Sequence, residues 1–187
     1  MKEFESDRIK LVAPSLNYLE VFYLYASKPN IGPMAGWMPH QNLLESKHIL
    51  EEMAKSRHTW FIIWKENNEF VGTIDLRPLA SILTFKITNY EIGYSLNDTY
   101  WGLGIAVEAS NLIIDYAFNE LKAKEIEVSH TEQNLQSKRV IEKLGFVFRK
   151  AEYREEYRTY THRMWFYSMT KYDYERRKKH EKITTKI

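Results

Sequence analysis

Trp101-Gly102-Leu103-Gly104-Ile105-Ala106 stands between a β-like run ending near Leu96 and a long amphipathic pattern, and its reading decides the fold. Two glycines one residue apart let the chain turn sharply and leave the backbone uncovered by side chains. The N–H groups of residues 102–106 can then converge on an anion, and the following helix adds the partial positive charge of its N-terminus. Alone, Gly-x-Gly at such a junction is often no more than a tight turn. Two other phosphate motifs are excluded: no third glycine is spaced for a dinucleotide fingerprint, and no Gly-Lys-Ser/Thr completes a P-loop.

Working outward, Ala106, Ala109, Leu112, Ile113, Tyr116, Ala117 and Leu121 recur at helical spacing. Residues 125–129 alternate charged with apolar side chains and predict a strand. Residues 137–144 predict a short helix stopped by Gly145. Runs beginning at 146 and covering 164–169 predict the last strands. Upstream, 8–12 predicts a short opening strand, and Ser15 caps a helix carrying Leu16, Leu19, Val21, Phe22 and Leu24. Residues 28–33 break that helix, 34–41 cannot be regular structure for long, and a second helix is expected over 44–53. Runs 60–64 and 71–76 form a hairpin across Glu66-Asn67-Asn68-Glu69. A third run covers 84–96, where Gly93 marks a bulge or a close approach of another group.

The chain of 187 residues suits one domain over 1–174 with a basic tail over 175–187, read as solvated or as a frayed helix end. A net charge of +2 is too small to argue for nucleic acid or membrane as a partner. No apolar run reaches the length of a membrane span, and the N-terminus is charged where a signal peptide needs apolar residues. A cytoplasmic protein is the expectation. With no cysteine, thiol nucleophiles, thiolate metal sites and disulfides are excluded, and the histidines show no metal-ligand spacing. The 14% of aromatic residues is read as aromatic-rich strands more readily than as a pocket lining.

A second constellation gives the loop its meaning. Asn134-Leu135-Gln136-Ser137-Lys138-Arg139-Val140-Ile141-Glu142-Lys143-Leu144-Gly145-Phe146 follows a strand about thirty residues downstream of the loop. The pair resembles the GNAT superfamily of acyl-CoA N-acyltransferases. The loop looks like that family's R/Q-x-x-G-x-G/A signature and the second segment like its N-x-x-S-x-x-x-x-E-K-L-G-F signature. Glu91-Ile92-Gly93-Tyr94, Tyr100-Trp101-Gly102 and Tyr167-Ser168-Met169 resemble the RimJ/RimL-like branch. Two departures stand out. Trp101 replaces Arg or Gln, and Leu103 an often basic residue, so a charge-assisted contact is missing. Ile141 stands where many members carry the tyrosine that protonates the departing thiolate.

The resemblance implies an α/β fold with a mixed, mostly antiparallel sheet and helices on both faces. The sheet would open as a V between the strand ending near Leu96 and the strand 125–129. It implies acetyl-CoA as cofactor and direct attack of an amine on the thioester, with both substrates bound. Trp101, Gly102, Leu103, Gly104, Ile105 and Ala106 would hold the pyrophosphate. The backbone of Tyr94, Ser95 and Leu96 would pair with the pantetheine and supply the oxyanion donor, and Asn134 would bond the pantetheine arm. Ser137 is expected to protonate the thiolate, though its local role is that of a helix N-cap. Glu91 is the expected general base through water, with an ion pair to Arg or Lys as the plain alternative. Trp37, His40, Glu91 and His162 are expected on the acceptor side, although a lone loop histidine such as His40 is commonly solvated. The acceptor is a protein N-terminus or a small amine, and a homodimer is compatible with the sequence. Two rival readings remain: an acyl-CoA-binding regulator without turnover, and a nucleic-acid module using the basic tail.

Overall fold

Alternation and β-branched residues put the first strands where the spacing expects them, with one strand added ahead of the opening run. The computed structural model describes the backbone of residues 1–79, 87–156 and 160–184 and the side chains of 1–79, 87–154 and 163–181. Among these the strands are β1 (Phe4–Glu5), β2 (Ile9–Val12), β3 (Thr59–Trp64), β4 (Phe70–Leu79), β5 (Asn89–Leu96), β6 (Glu125–Thr131), β7 (Val147–Glu156) and β8 (Tyr160–Thr170). The helices are α1 (Leu19–Ala26), α2 (Gly32–Ala35), α3 (Leu43–Ser56), α4 (Ile105–Asn119), α5 (Leu135–Leu144) and α6 (Lys171–Thr184). The strands form an eight-stranded sheet in the order β1-β2-β3-β4-β5-β6-β8-β7. Pairing is antiparallel from β1 to β4 and between β6, β8 and β7, and parallel between β5 and β6. This is the mixed, mostly antiparallel α/β architecture expected from the sequence. The β5–β6 ladder runs from Asn89↔Glu125 to Glu91↔Glu127, and β5 continues beyond it to Leu96.

The chain groups into two units, Met1–Leu76 with Gly93–Leu112, and Arg77–Ile92 with Ile113–Ile187. The first unit has an aromatic core. Phe22, Tyr25, Phe61 and Phe70 are buried together with Leu50 and Ile63, and Trp37 and Trp101 pack against them. Phe61 and Phe70 meet edge-to-face at 4.8 Å, and Phe22 stacks on Phe61 at 5.5 Å. Much of the aromatic content thus fills a core, in geometries that favour ring pairs beyond their area burial.

In the second unit Phe118 stacks on Tyr174 at 4.8 Å, and Ile126, Ile141 and Met169 are fully buried. The buried stripe of α4 is Ile105, Ala106, Ala109, Ser110, Ile113, Ile114, Ala117 and Phe118. Leu112 and Tyr116 stay half-exposed, so the stripe is rotated slightly from the one expected from spacing. Helix α6 runs through most of the stretch expected as a tail or frayed end. Thr170 and Asp173 cap one another at its start, Tyr174 is buried, and Arg177 Nη1 donates to the Leu144 carbonyl at 2.6 Å.

Candidate active site

The glycine loop belongs to the first unit, where its entrance is tied down. Asp98 receives Lys28 Nζ at 2.5 Å and Asn30 Nδ2 at 2.9 Å. The Trp101 backbone N–H donates to the Asp98 carbonyl at 3.2 Å and its indole N–H to the Leu96 carbonyl at 2.9 Å. Trp101 therefore anchors the loop to the core. Gly102 and Gly104 then adopt φ of +80° and +78°, the left-handed region where a side chain is strained. A Cβ at Gly102 would meet nothing within 4 Å, so this glycine leaves open space beside the backbone. Among the described residues no protein acceptor meets the N–H groups of Gly102, Gly104, Ile105 or Ala106, while that of Leu103 closes the turn over Trp101 and Gly102. Four donors and a helix start are thus free for an anion.

The sequence reading found no basic partner for this loop, and the structure supplies one from β2's approach. Arg8 Nη1 donates to the Leu103 carbonyl at 3.1 Å, and its Nη2 lies 3.8 Å from where a Gly104 Cβ would be. Arg8 Nε also bonds Glu108 at 2.7 Å, and the Ser6 hydroxyl reaches the other Glu108 oxygen at 2.5 Å. No local signal marks Arg8, because its partner lies about a hundred residues away in the chain.

The last residues of β5 are held from within the same unit. A Cβ at Gly72 would collide with the Ser95 carbonyl, and one at Gly93 would come within 2.8 Å of the Asp75 carboxylate. The close approach expected at Gly93 is therefore present. Tyr25 bonds the Ser95 hydroxyl and also donates to the Ser95 carbonyl at 3.3 Å, and burial pushes its phenol up to about 12. Trp37 packs on the core with its ring over Gly32. His40 is buried, which departs from the solvated loop histidine expected. Its Nδ1 meets the Ser46 hydroxyl at 2.7 Å, its ring contacts Phe22 at 5.5 Å, and burial holds its pKa below the usual histidine value.

In the second unit Asn134, and not Ser137, is the N-cap of α5, which begins two residues earlier than expected. The Asn134 side-chain oxygen accepts the Ser137 N–H at 2.9 Å. Ser137 sits half-buried in the first turn, and Ile141, fully buried, follows one turn later. Gly145 closes the helix at φ +81°. Glu91 is ion-paired with Arg77 at 3.2 Å, the plain alternative foreseen for it. Parallel register sets Glu91 beside Glu127, a carboxylate that sequence reasoning missed. Burial, then the charges of Glu125 and Glu91, hold the Glu127 carboxyl above the usual range. The alternation of residues 125–129 shows that Glu125 and Glu127 share a face, but only register brings Glu91 to them.

Beside α5, His130 is buried with Nδ1 at 2.7 Å from the Thr131 carbonyl and Nε2 at 3.3 Å from the Tyr167 hydroxyl. A carbonyl only accepts, so Nδ1 carries the proton and Tyr167 donates to Nε2. Burial lowers the His130 pKa and raises that of Tyr167, which keeps both neutral. His162 pairs with Arg154 through the backbone of β7 and β8, and its side chain lies outside the described residues. Among the described residues no group of three or more His, Asp or Glu could hold a metal, and no helix is long and apolar enough to cross a membrane.

The family model described as "Acetyltransferase (GNAT) domain" matches residues 8–147, most of the chain and both motif segments. The chain is 37% identical over 97 residues to the probable N-acetyltransferase YjcK of Bacillus subtilis (strain 168), spanning 51% of this chain and 52% of that protein. It is 25% identical over 151 residues to the uncharacterized N-acetyltransferase p20 of Bacillus licheniformis, spanning 78% and 83%. A GNAT-family acetyltransferase from Bacillus anthracis has the same fold, with a TM-score of 0.82 at 19% identity over 91% of this chain and 99% of that one. A ribosomal-protein-S5-alanine acetyltransferase from Vibrio fischeri superposes at a TM-score of 0.72 and 21% identity, over 91% and 97%. The microcin C7 self-immunity acetyltransferase MccE, solved with acetyl-CoA and AMP, superposes at 0.72 and 22%, over 88% and 93%. The chain belongs to the GNAT acetyltransferase family.

Proposed function

We propose that this chain is an acetyl-CoA-dependent N-acetyltransferase of the RimJ/RimL-like branch, moving an acetyl group to a primary amine by direct attack. One observation carries the reading: the N–H groups of Gly102, Gly104, Ile105 and Ala106 have no acceptor among the described residues, and Gly102 leaves open space beside the backbone. The pyrophosphate of acetyl-CoA is the anion assigned to them. MccE, a protein of the same fold, is described in complex with acetyl-CoA, which supports that donor.

The amine nitrogen attacks the thioester carbonyl carbon, giving a tetrahedral oxyanion. Backbone N–H groups of Tyr94, Ser95 and Leu96 are its assigned donors, and the same stretch pairs with the pantetheine. Collapse breaks the C–S bond, and the thiolate takes the proton of the Ser137 hydroxyl, which solvent restores. Buried Ile141 offers no proton, which supports giving this role to Ser137 one turn away. Glu91 receives the proton lost by the amine through water, with Glu127 beside it as the rival acceptor. Asn134 bonds the pantetheine arm, Trp101 anchors the loop, and Trp37, His40 and His162 belong to the acceptor side.

For the acceptor, the S5-alanine acetyltransferase among the structural neighbours supports a protein N-terminal amine. The neighbouring carboxylates Glu91 and Glu127 equally suit a cationic small amine. The test is an acetyl-CoA turnover screen against N-terminal peptides, polyamines and aminoglycosides, with coenzyme A release as the readout. Turnover with one class sets the acceptor. Tight coenzyme A binding with no turnover on any amine favours a regulatory acyl-CoA-binding protein, a reading supported by the hold of Arg77 on Glu91.

A further inference from the structure

Glu108 poses an electrostatic problem for the proposed donor site. It lies in the first turn of α4, the helix whose start is offered to the pyrophosphate. A carboxylate there competes with any anionic ligand for the same partial positive charge and repels it directly. Burial pushes the Glu108 carboxyl up, but the Ser6 hydroxyl and Arg8 outweigh it and hold the group below the usual range, so it stays charged.

Arg8 answers this. Its Nε and Nη2 both engage Glu108, and Nη1 binds the Leu103 carbonyl between the two glycines at 3.1 Å. The guanidinium lies over the Trp64 ring at 5.7 Å, which limits its freedom to leave. One planar group therefore neutralises the competing carboxylate and turns a loop carbonyl aside, so that an incoming anion faces N–H groups. The cation missing at positions 101 and 103 of the loop is supplied by Arg8, 95 residues upstream of Leu103.

We infer that Arg8 is a positioning residue for the acetyl donor, cancelling the Glu108 charge and fixing the Leu103 carbonyl so that the Gly102–Ala106 amides receive a pyrophosphate. This rests on the coenzyme A reading above, which the first measurement tests separately. Calorimetry of the wild-type chain with coenzyme A comes first, and no binding there overturns the cofactor reading itself. Given binding, Arg8→Ala weakens it about tenfold or more, because an unbalanced carboxylate then faces the phosphates. Arg8→Lys, which keeps the charge, stays within a few-fold of wild type. The deciding variant is the double exchange Arg8→Ala with Glu108→Gln. Recovery of most of the lost affinity is expected, since the repelling charge has gone. A double variant as weak as Arg8→Ala, with both folded by thermal melt, overturns the proposal and leaves Arg8 a scaffold or a direct ligand.

A second readout does not depend on the double variant. In Arg8→Ala the KM for acetyl-CoA rises while kcat at saturation holds, and kcat/KM for S-acetylpantetheine, which lacks the pyrophosphate, is unchanged. An equal loss with both donors would show general damage to the site and contradict the inference.

Discussion

In the first unit the proposed chemistry is made of backbone: free amides at Gly102, Gly104, Ile105 and Ala106, two left-handed glycines, and a strand end held by Tyr25 and Trp101. In the second unit it is made of side chains: Ser137 on a capped helix, and Glu91 and Glu127 brought together by strand register. Backbone sites tolerate the loss of a signature side chain, as Trp101 and Leu103 illustrate, because amides donate whatever residue bears them. Side-chain sites do not. A missing tyrosine at Ile141 has to be answered by another hydroxyl.

The contrast is broken most severely at Gly104. Gly104→Val should weaken coenzyme A binding on the order of 100-fold by filling the approach to the amides and distorting them. The protein should stay folded, since a Cβ there meets only Arg8 Nη2 at 3.8 Å and the left-handed φ costs about 1–3 kcal/mol. Calorimetry beside a thermal melt checks both halves, and wild-type affinity would remove the loop from the site.

Ser137→Ala tests the second unit in the opposite sense. Turnover should fall about 10- to 100-fold with the KM for acetyl-CoA unchanged. The helix should survive because Asn134, and not Ser137, supplies the cap. Steady-state kinetics showing intact turnover would return the proton donor to an unassigned group.

The two carboxylates sharpen the comparison next. Glu91→Gln should flatten the acidic limb of the rate–pH profile, while Glu127→Gln keeps the limb. The reverse pattern would make Glu127 the base. Glu127 also has a stability signature. A carboxyl held above its ordinary pKa favours folding at low pH, and that contribution is lost as pH rises through the folded value. Glu127→Gln should therefore gain roughly 1–2 °C in Tm at neutral pH relative to acid, by calorimetric melt.

The smallest expected effect compares one buried histidine from each unit. Burial holds His40 and His130 below the ordinary histidine pKa, so the folded chain binds fewer protons than the unfolded one. Stability should be full above about pH 6.5 and fall as pH drops below it, by a few degrees of Tm. Replacing His130 with Phe should reduce that acid loss without abolishing it, because His40 remains. A pH-independent wild-type Tm between 7.5 and 5.5 would contradict the assignment.

Legibility followed the range of the interactions. Strands β3 and β6 and helix α3 are readable because a β-branched and aromatic run, charged–apolar alternation and helical spacing are properties of neighbouring residues. Helix α6 was harder to place. Its charged surface resembles a tail until Tyr174 is seen buried and Arg177 seen bonding the Leu144 carbonyl. His40 looked like a solvated loop residue because nothing near it in the chain reveals Phe22 or the Ser46 hydroxyl closing over it.

The sequence by itself determined the glycine loop, the Asn134–Phe146 segment and the order of elements, and hence the family. Glycine conformation, turn chemistry and helix stops act over a few residues, so they are written locally. The tertiary structure decided what charge those local features meet. Arg8 reaches the loop from just ahead of the second strand, and Glu127 reaches Glu91 through parallel register. Charges interact through space and not along the chain, so their partners were fixed only when the fold brought distant residues together.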